Sequence, residues 1–127
     1  MKHLAVSILF LSLSAFPLAG MQQQQPDPKV QEALQKAQAG DFNGAIAVLE
    51  PLKGQPGVHP GTLSLLGSLY LETGRFQDAM ALLAPVADHE ATGPLILRNA
   101  ARAALAVGQT DKAEAWLRRA VASASSA

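Results

Sequence analysis

Residues 60–93 read PGTLSLLGSLYLETGRFQDAMALLAPVADHEATG, and two apolar stripes separated by one glycine decide the fold. Leu63, Leu66, Gly67, Tyr70 and Leu71 recur at the three- and four-residue spacing of a single helical face. Gly74 stops that pattern, and glycine accepts the left-handed dihedrals that end many helices. Phe76, Ala79, Met80, Leu83 and Val86 then make a second stripe. The stretch is expected to be a helical hairpin.

Outward from this hairpin the pattern repeats. Gly40, Gly74 and Gly108 are 34 residues apart, as are Ala45, Ala79 and Ala113, and Leu49, Leu83 and Leu117. Pro26, Pro60 and Pro94 fall in the same register, and so do Phe42 and Phe76, with Thr110 in the third place. A period of this length calls for stacked repeats before any other fold is considered. Three copies, 26–59, 60–93 and 94–127, fill the chain behind its first 25 residues.

The other copies carry the same two stripes. Leu97, Ala100, Ala101, Ala104 and Leu105 precede Gly108 in the third, followed by Ala113, Trp116, Leu117, Ala120 and Val121, with Thr110 expected as the cap of that helix. The first copy has a regular second helix (Phe42, Ala45, Ile46, Leu49, Leu52) and a thinner first one (Val30, Ala33, Leu34, Ala37). Pro51 and Pro85 are expected to end or bend the second helices over their last turns. No strand-type alternation competes. The expected fold is all-α, an α-solenoid of antiparallel helical hairpins. Ala33, Gly67 and Ala101 are the small residues expected to bring the two helices of a hairpin close, and Ala45, Ala79 and Ala113 those between neighbours.

Leu63-x-x-Leu66-Gly67-x-x-Tyr70, then Gly74, Phe76, Ala79 and Leu83, resembles the tetratricopeptide repeat, whose pattern is W-x2-L-G-x2-Y followed by A-x3-F. Leucine stands for the usual tryptophan and for the later phenylalanine. The third copy has Ala100-Ala101 and Ala104 in place of L-G and Tyr, and the first has Glu32-Ala33 and Lys36. The resemblance covers Pro26 to the end. It implies a superhelix whose concave side is lined by first helices and holds a peptide or a partner helix.

By that resemblance the partner-binding residues are Leu34 on the first copy, Ser64, Ser68 and Leu71 on the second, and Arg98, Asn99, Arg102 and Leu105 on the third, with Val30, Ala37 and Glu72 beside them. Arg98 and Arg102 are four apart, on one helix face, and suit a carboxylate. The family's carboxylate clamp also needs basic and amide residues on the first two copies, which Leu34, Ser64 and Ser68 do not supply. The alternative is a solvated basic face.

The front of the chain differs in kind. Met1-Lys2-His3 and the uncharged run Leu4 to Phe16 (LAVSILFLSLSAF) suit a secretory signal over residues 1–20 and fall short of a membrane span. Gln22 to Pro28 is low-complexity, so residues 21–27 are expected to be a flexible spacer before a domain over 28–127. Zero cysteines exclude disulfides, thiol nucleophiles, cysteine-held metals and a lipidated cysteine after Leu18-Ala19-Gly20. The expectation is export, to a bacterial periplasm or envelope. Retention of the run as an anchor would instead tether a subunit of a secretion, pilus or envelope-biogenesis complex.

Ten basic and ten acidic residues give no electrostatic case for nucleic acid. The balance hides a gradient. Residues 60–93 hold one basic and four acidic side chains, residues 94–127 five basic and two acidic. An acidic partner at the third copy or contact between chains fits that gradient, and a homodimer is among the expected states. Asp111, Lys112, Glu114, Arg118 and Arg119 are expected to let the last helix act as its own polar cap.

No catalytic pattern of glycines, serines or histidines occurs. Asp88-His89-Glu90 would be the seat of the remaining alternative, a small metal-dependent hydrolase, but adjacent residues do not converge on one ion. No enzyme activity and no cofactor are expected. The expected function is protein binding.

Overall fold

A computed structural model describes residues 27–125. Six α-helices follow in order: α1 (Pro28–Gln38), α2 (Phe42–Leu49, continued by a 3-10 turn over Glu50–Leu52), α3 (Pro60–Glu72), α4 (Phe76–Ala87), α5 (Pro94–Ala106) and α6 (Thr110–Ser125). No strand occurs among the described residues. Successive helices pair as hairpins α1/α2, α3/α4 and α5/α6, and each hairpin packs on the next, forming an α-solenoid. The expected signal, and all of the spacer before Asp27, lie outside the described residues.

The hairpin turns share one geometry. Gly40, Gly74 and Gly108 have φ of 86°, 75° and 84°, which a Cβ would strain. At Gly74 the Arg75 N–H donates to the Tyr70 carbonyl (2.8 Å) and the Gly74 N–H to the Leu71 carbonyl (3.2 Å). The same paired bonds recur at Gly40 and Gly108. They satisfy carbonyls that a helix end otherwise leaves open.

Helix starts use local acceptors. Asp27 accepts from the Lys29 N–H (2.8 Å), so α1 begins at Pro28 rather than at the register proline Pro26. His59 Nδ1 accepts from the Gly61 N–H (2.9 Å) ahead of Pro60. Asp41 caps α2 through the Gly44 N–H (3.0 Å). Thr110 does not cap α6. It is the first helical residue, and the Gln109 carbonyl accepts from Ala113, as those of Asp41 and Arg75 do from Ala45 and Ala79.

The two prolines behave differently. The α-helical part of α2 ends at Leu49 and tightens into the 3-10 turn holding Pro51, whereas α4 runs through Pro85 to Ala87. Pro85 thus lies in the last turn of α4, which stops two residues later, and that turn is also held from outside. The Thr92 hydroxyl donates to the Val86 carbonyl, and the Arg119 guanidinium donates to the carbonyls of Ala87 and His89. A cation at a helix C-terminus is also favoured by the dipole.

The core runs along the stack. Tyr70, Leu49, Leu66, Leu83 and Leu97 are its largest fully buried side chains. A Cβ built on Gly67 would lie 2.7 Å from Leu83 Cδ1, so Leu83 of α4 packs directly on the α3 backbone. Ala33, Ala45, Ala79, Ala101 and Ala113 are all buried, at the small-residue places where helices approach one another.

Candidate functional site

The first-helix residues named from the sequence divide by burial. Ser64 and Leu71 of α3 and Asn99 of α5 are buried, and the two helices pack against each other. Asn99 Nδ2 donates to Ser68 Oγ at 3.0 Å, which satisfies a polar pair where the two helices meet and half-buries Ser68. Three of these four residues are thus enclosed, and Ser68 is only partly open to solvent. The polarity of Ser64, Ser68 and Asn99 pointed to a surface; Ser64 and Asn99 are buried and Ser68 is half-buried.

Arg98, Arg102, Leu105 and Leu34 are exposed. Leu95, Arg98, Arg102 and Leu105 follow each other at helical spacing and make one stripe along α5. Arg102 reaches Glu72 of α3 at 4.0 Å with both side chains more than half exposed, a contact that contributes little. Arg98 has no hydrogen bond or ion pair among the described residues. Leu34 stands on α1 among exposed Gln31, Glu32 and Gln35. The structure therefore assembles a basic stripe with leucine at each end on α5, and does not extend it over α3.

A second polar cluster, absent from the sequence reading, fastens the first hairpin to the second. The Tyr70 hydroxyl donates to Glu50 Oε1 (2.8 Å) and accepts from Lys53 Nζ (3.5 Å). Arg75 lies over the Tyr70 ring, 4.7 Å from its centroid, and also pairs with Glu50 (3.3 Å) and Asp78 (2.8 Å). Burial first, and then the bond to Glu50, push the Tyr70 phenol above its ordinary value, so it stays a donor. Tyr70 sits within the apolar stripe of α3, and periodicity alone gives no sign of where its hydroxyl goes.

The far end of the stack is apolar. Leu105, Ala113, Leu117 and Val121 line an open groove of about 520 Å³ between α5 and α6, with Thr110, Glu114 and Arg118 at its edges. Leu105 and Val121 are 53% and 65% exposed, which corrects the expectation that α6 would be its own polar cap. The charged residues lie beside the stripe and do not cover it. Arg119, named among them, turns inward to the end of α4.

Asp88 and His89 are taken up by local structure. Asp88 Oδ1 accepts from the Trp116 indole N–H (3.1 Å), and His89 Nδ1 accepts from the Ala91 N–H (3.3 Å). No group of three or more metal-ligating side chains gathers among the described residues. Among those residues no helix is long and apolar enough to cross a membrane.

Comparison with known proteins agrees with this architecture. Two family profiles, both described as tetratricopeptide repeat, match residues 36–96 and 94–119. No curated protein matches the chain. Repeats of this kind generally mediate protein–protein interaction and generally form non-catalytic scaffolds. The matches begin inside α1 and end inside α6, so nearly the whole solenoid answers to one pattern, and the chain belongs to the tetratricopeptide repeat family.

Proposed function

We propose that this protein is an exported interaction module, an adaptor or assembly factor that holds a peptide or partner helix on its first-helix face. The observation that carries the reading is the stripe on α5. Leu95, Arg98, Arg102 and Leu105 are exposed in line, and Arg98 has no partner among the described residues. The third copy also has the basic excess of the chain, five basic against two acidic residues. An acidic polypeptide with flanking apolar side chains complements such a stripe in charge and in burial. The protein acts by binding and not by catalysis, in keeping with its family.

A pull-down from envelope extracts tests the surface, with Arg98→Glu/Arg102→Glu as the comparison. Loss of the partner from the double variant supports the stripe; unchanged recovery removes it. Export rests on the run Leu4 to Phe16, which equally supports a second reading, a tethered subunit of an envelope complex that keeps the run as an anchor. N-terminal sequencing of the exported protein separates the two. A start near Met21 sinks the anchor, and an intact Met1 sinks the cleaved form.

A further inference from the structure

The groove at the end of the stack is shaped for a helix, because its register places hold one elsewhere in the same molecule. Leu105, Ala113, Leu117 and Val121 line it. One copy earlier the same places are Leu71, Ala79, Leu83 and Ala87, all buried where α5 lies against the second hairpin. Of the exposed large apolar side chains Leu34, Phe76, Leu95, Leu105, Leu117 and Val121, half gather in this groove.

The opposite end of the stack cannot fill it. On α5 the buried places are held by Ile96, Leu97, Asn99, Ala100, Ala101, Ala103 and Ala104. On α1 the corresponding places hold Pro28, Lys29, Gln31, Glu32, Ala33, Gln35 and Lys36, of which Ala33 alone is buried. Head-to-tail stacking of chains would set this polar face on the leucines and desolvate its charges. An apolar face whose counterpart is polar matches itself instead, and a self-matching patch closes around a two-fold axis.

We propose that a second copy of this chain covers the groove, with α6 packed antiparallel against α6 across a two-fold axis near Leu117. That register puts Leu117 against the partner's Leu117 and Ala113 opposite the partner's Val121. Glu114 then lies two residues, about 3 Å along the helix axis, from the place opposite the partner's Arg118. Glu114 and Arg118 already pair within α6, and both are more than half exposed. Two chains present two acids and two bases at the rim, so every charge meets its opposite across the axis. The stripe on α5 shares Leu105 with the groove, but Arg98 and Arg102 lie outside it, so the double arginine variant and the tests below fail separately.

Sedimentation of the purified chain over a concentration series tests it. The expected result is a dimer that dissociates on dilution. Leu117→Glu, which places two carboxylates on the axis, is expected to weaken association at least about tenfold. Glu114→Arg is expected to weaken it as well, at an exposed position where folding is not at risk; helical circular dichroism confirms that both variants stay folded. The exchange Glu114→Arg/Arg118→Glu is expected to restore the dimer. A chain monomeric throughout the series overturns the proposal and assigns the groove to an outside partner. A dimer that survives Leu117→Glu overturns it too, and failure of the double exchange to rescue Glu114→Arg removes the antiparallel register.

Discussion

α1 and α5 occupy the same place in their hairpins, yet α1 buries one residue, Ala33, and α5 buries seven. Both end in the same glycine turn and both begin with proline. The difference lies in what stands on either side. α5 lies between α6 and the second hairpin, with α3 and α4 both against it, whereas α1 packs chiefly on α2. Local sequence signals therefore make the helix, and neighbours decide what the helix contributes. In a solenoid, whose stability is close to a sum of unit and nearest-neighbour contributions, the two ends need not be equivalent.

The comparison breaks first at Leu97. It is fully enclosed on α5, and Leu97→Ala is expected to cost about 2–5 kcal/mol in denaturant unfolding through lost burial and the cavity left behind. A cost under about 1 kcal/mol would mean that the third hairpin is not carried by α5. Ala79→Leu comes next. Ala79 is fully buried on α4, and the added methylenes should destabilise by about 1–3 kcal/mol. A neutral thermal midpoint would show that the junction has room and that the register of small residues is misplaced.

Tyr70→Phe probes the other junction, where polar groups rather than leucines join the hairpins. Removing the hydroxyl takes the donor from Glu50 and should cost about 1 kcal/mol at neutral pH. The phenol ionises less readily folded than unfolded, so its contribution is complete below the unfolded value, about 10, and is lost as pH rises above it. Wild type should therefore lose more stability than Tyr70→Phe between neutral and alkaline pH. Tyr70 is the sole tyrosine, so its ultraviolet titration reports the site directly. Parallel pH profiles for the two proteins would show that the hydroxyl is not held by Glu50.

The architecture was legible because the repeat writes backbone geometry into residue type. Glycine at positions 40, 74 and 108 marks left-handed turns, and Gly67 marks a contact with no room for a Cβ. Exposure was not legible in the same way. Leu83 and Leu117 stand in one column of the repeat, but Leu83 is fully buried and Leu117 is 38% exposed. Identical residues at identical spacing differ because a further hairpin packs on the second one and, among the described residues, none packs on the third. Ser64 and Asn99 show the converse. Polar side chains on a first helix read as surface, yet both are buried, and the Asn99 amide is satisfied by the Ser68 hydroxyl of the neighbouring helix. Arg98 and Arg102 are exposed, Arg98 without a partner among the described residues and Arg102 with only the long contact to Glu72.

The smallest expected effect lies at Leu34. It is 41% exposed, and Gln31, Glu32 and Gln35 around it on α1 are polar and exposed. Leu34→Ala should change stability by no more than about 0.5 kcal/mol, an order below Leu97→Ala despite removing the same atoms. Hydrogen exchange sharpens the point, since it reads each helix separately. Amides of α1 should exchange through a local opening that leaves α3 to α6 protected, because α1 has one buried anchor and a single main neighbour. Amides of α5 should exchange only when the second and third hairpins come apart. If α1 and α5 exchanged with the same free energy, the chain would unfold as one unit, and the contrast in burial between its first helices would carry no energetic consequence.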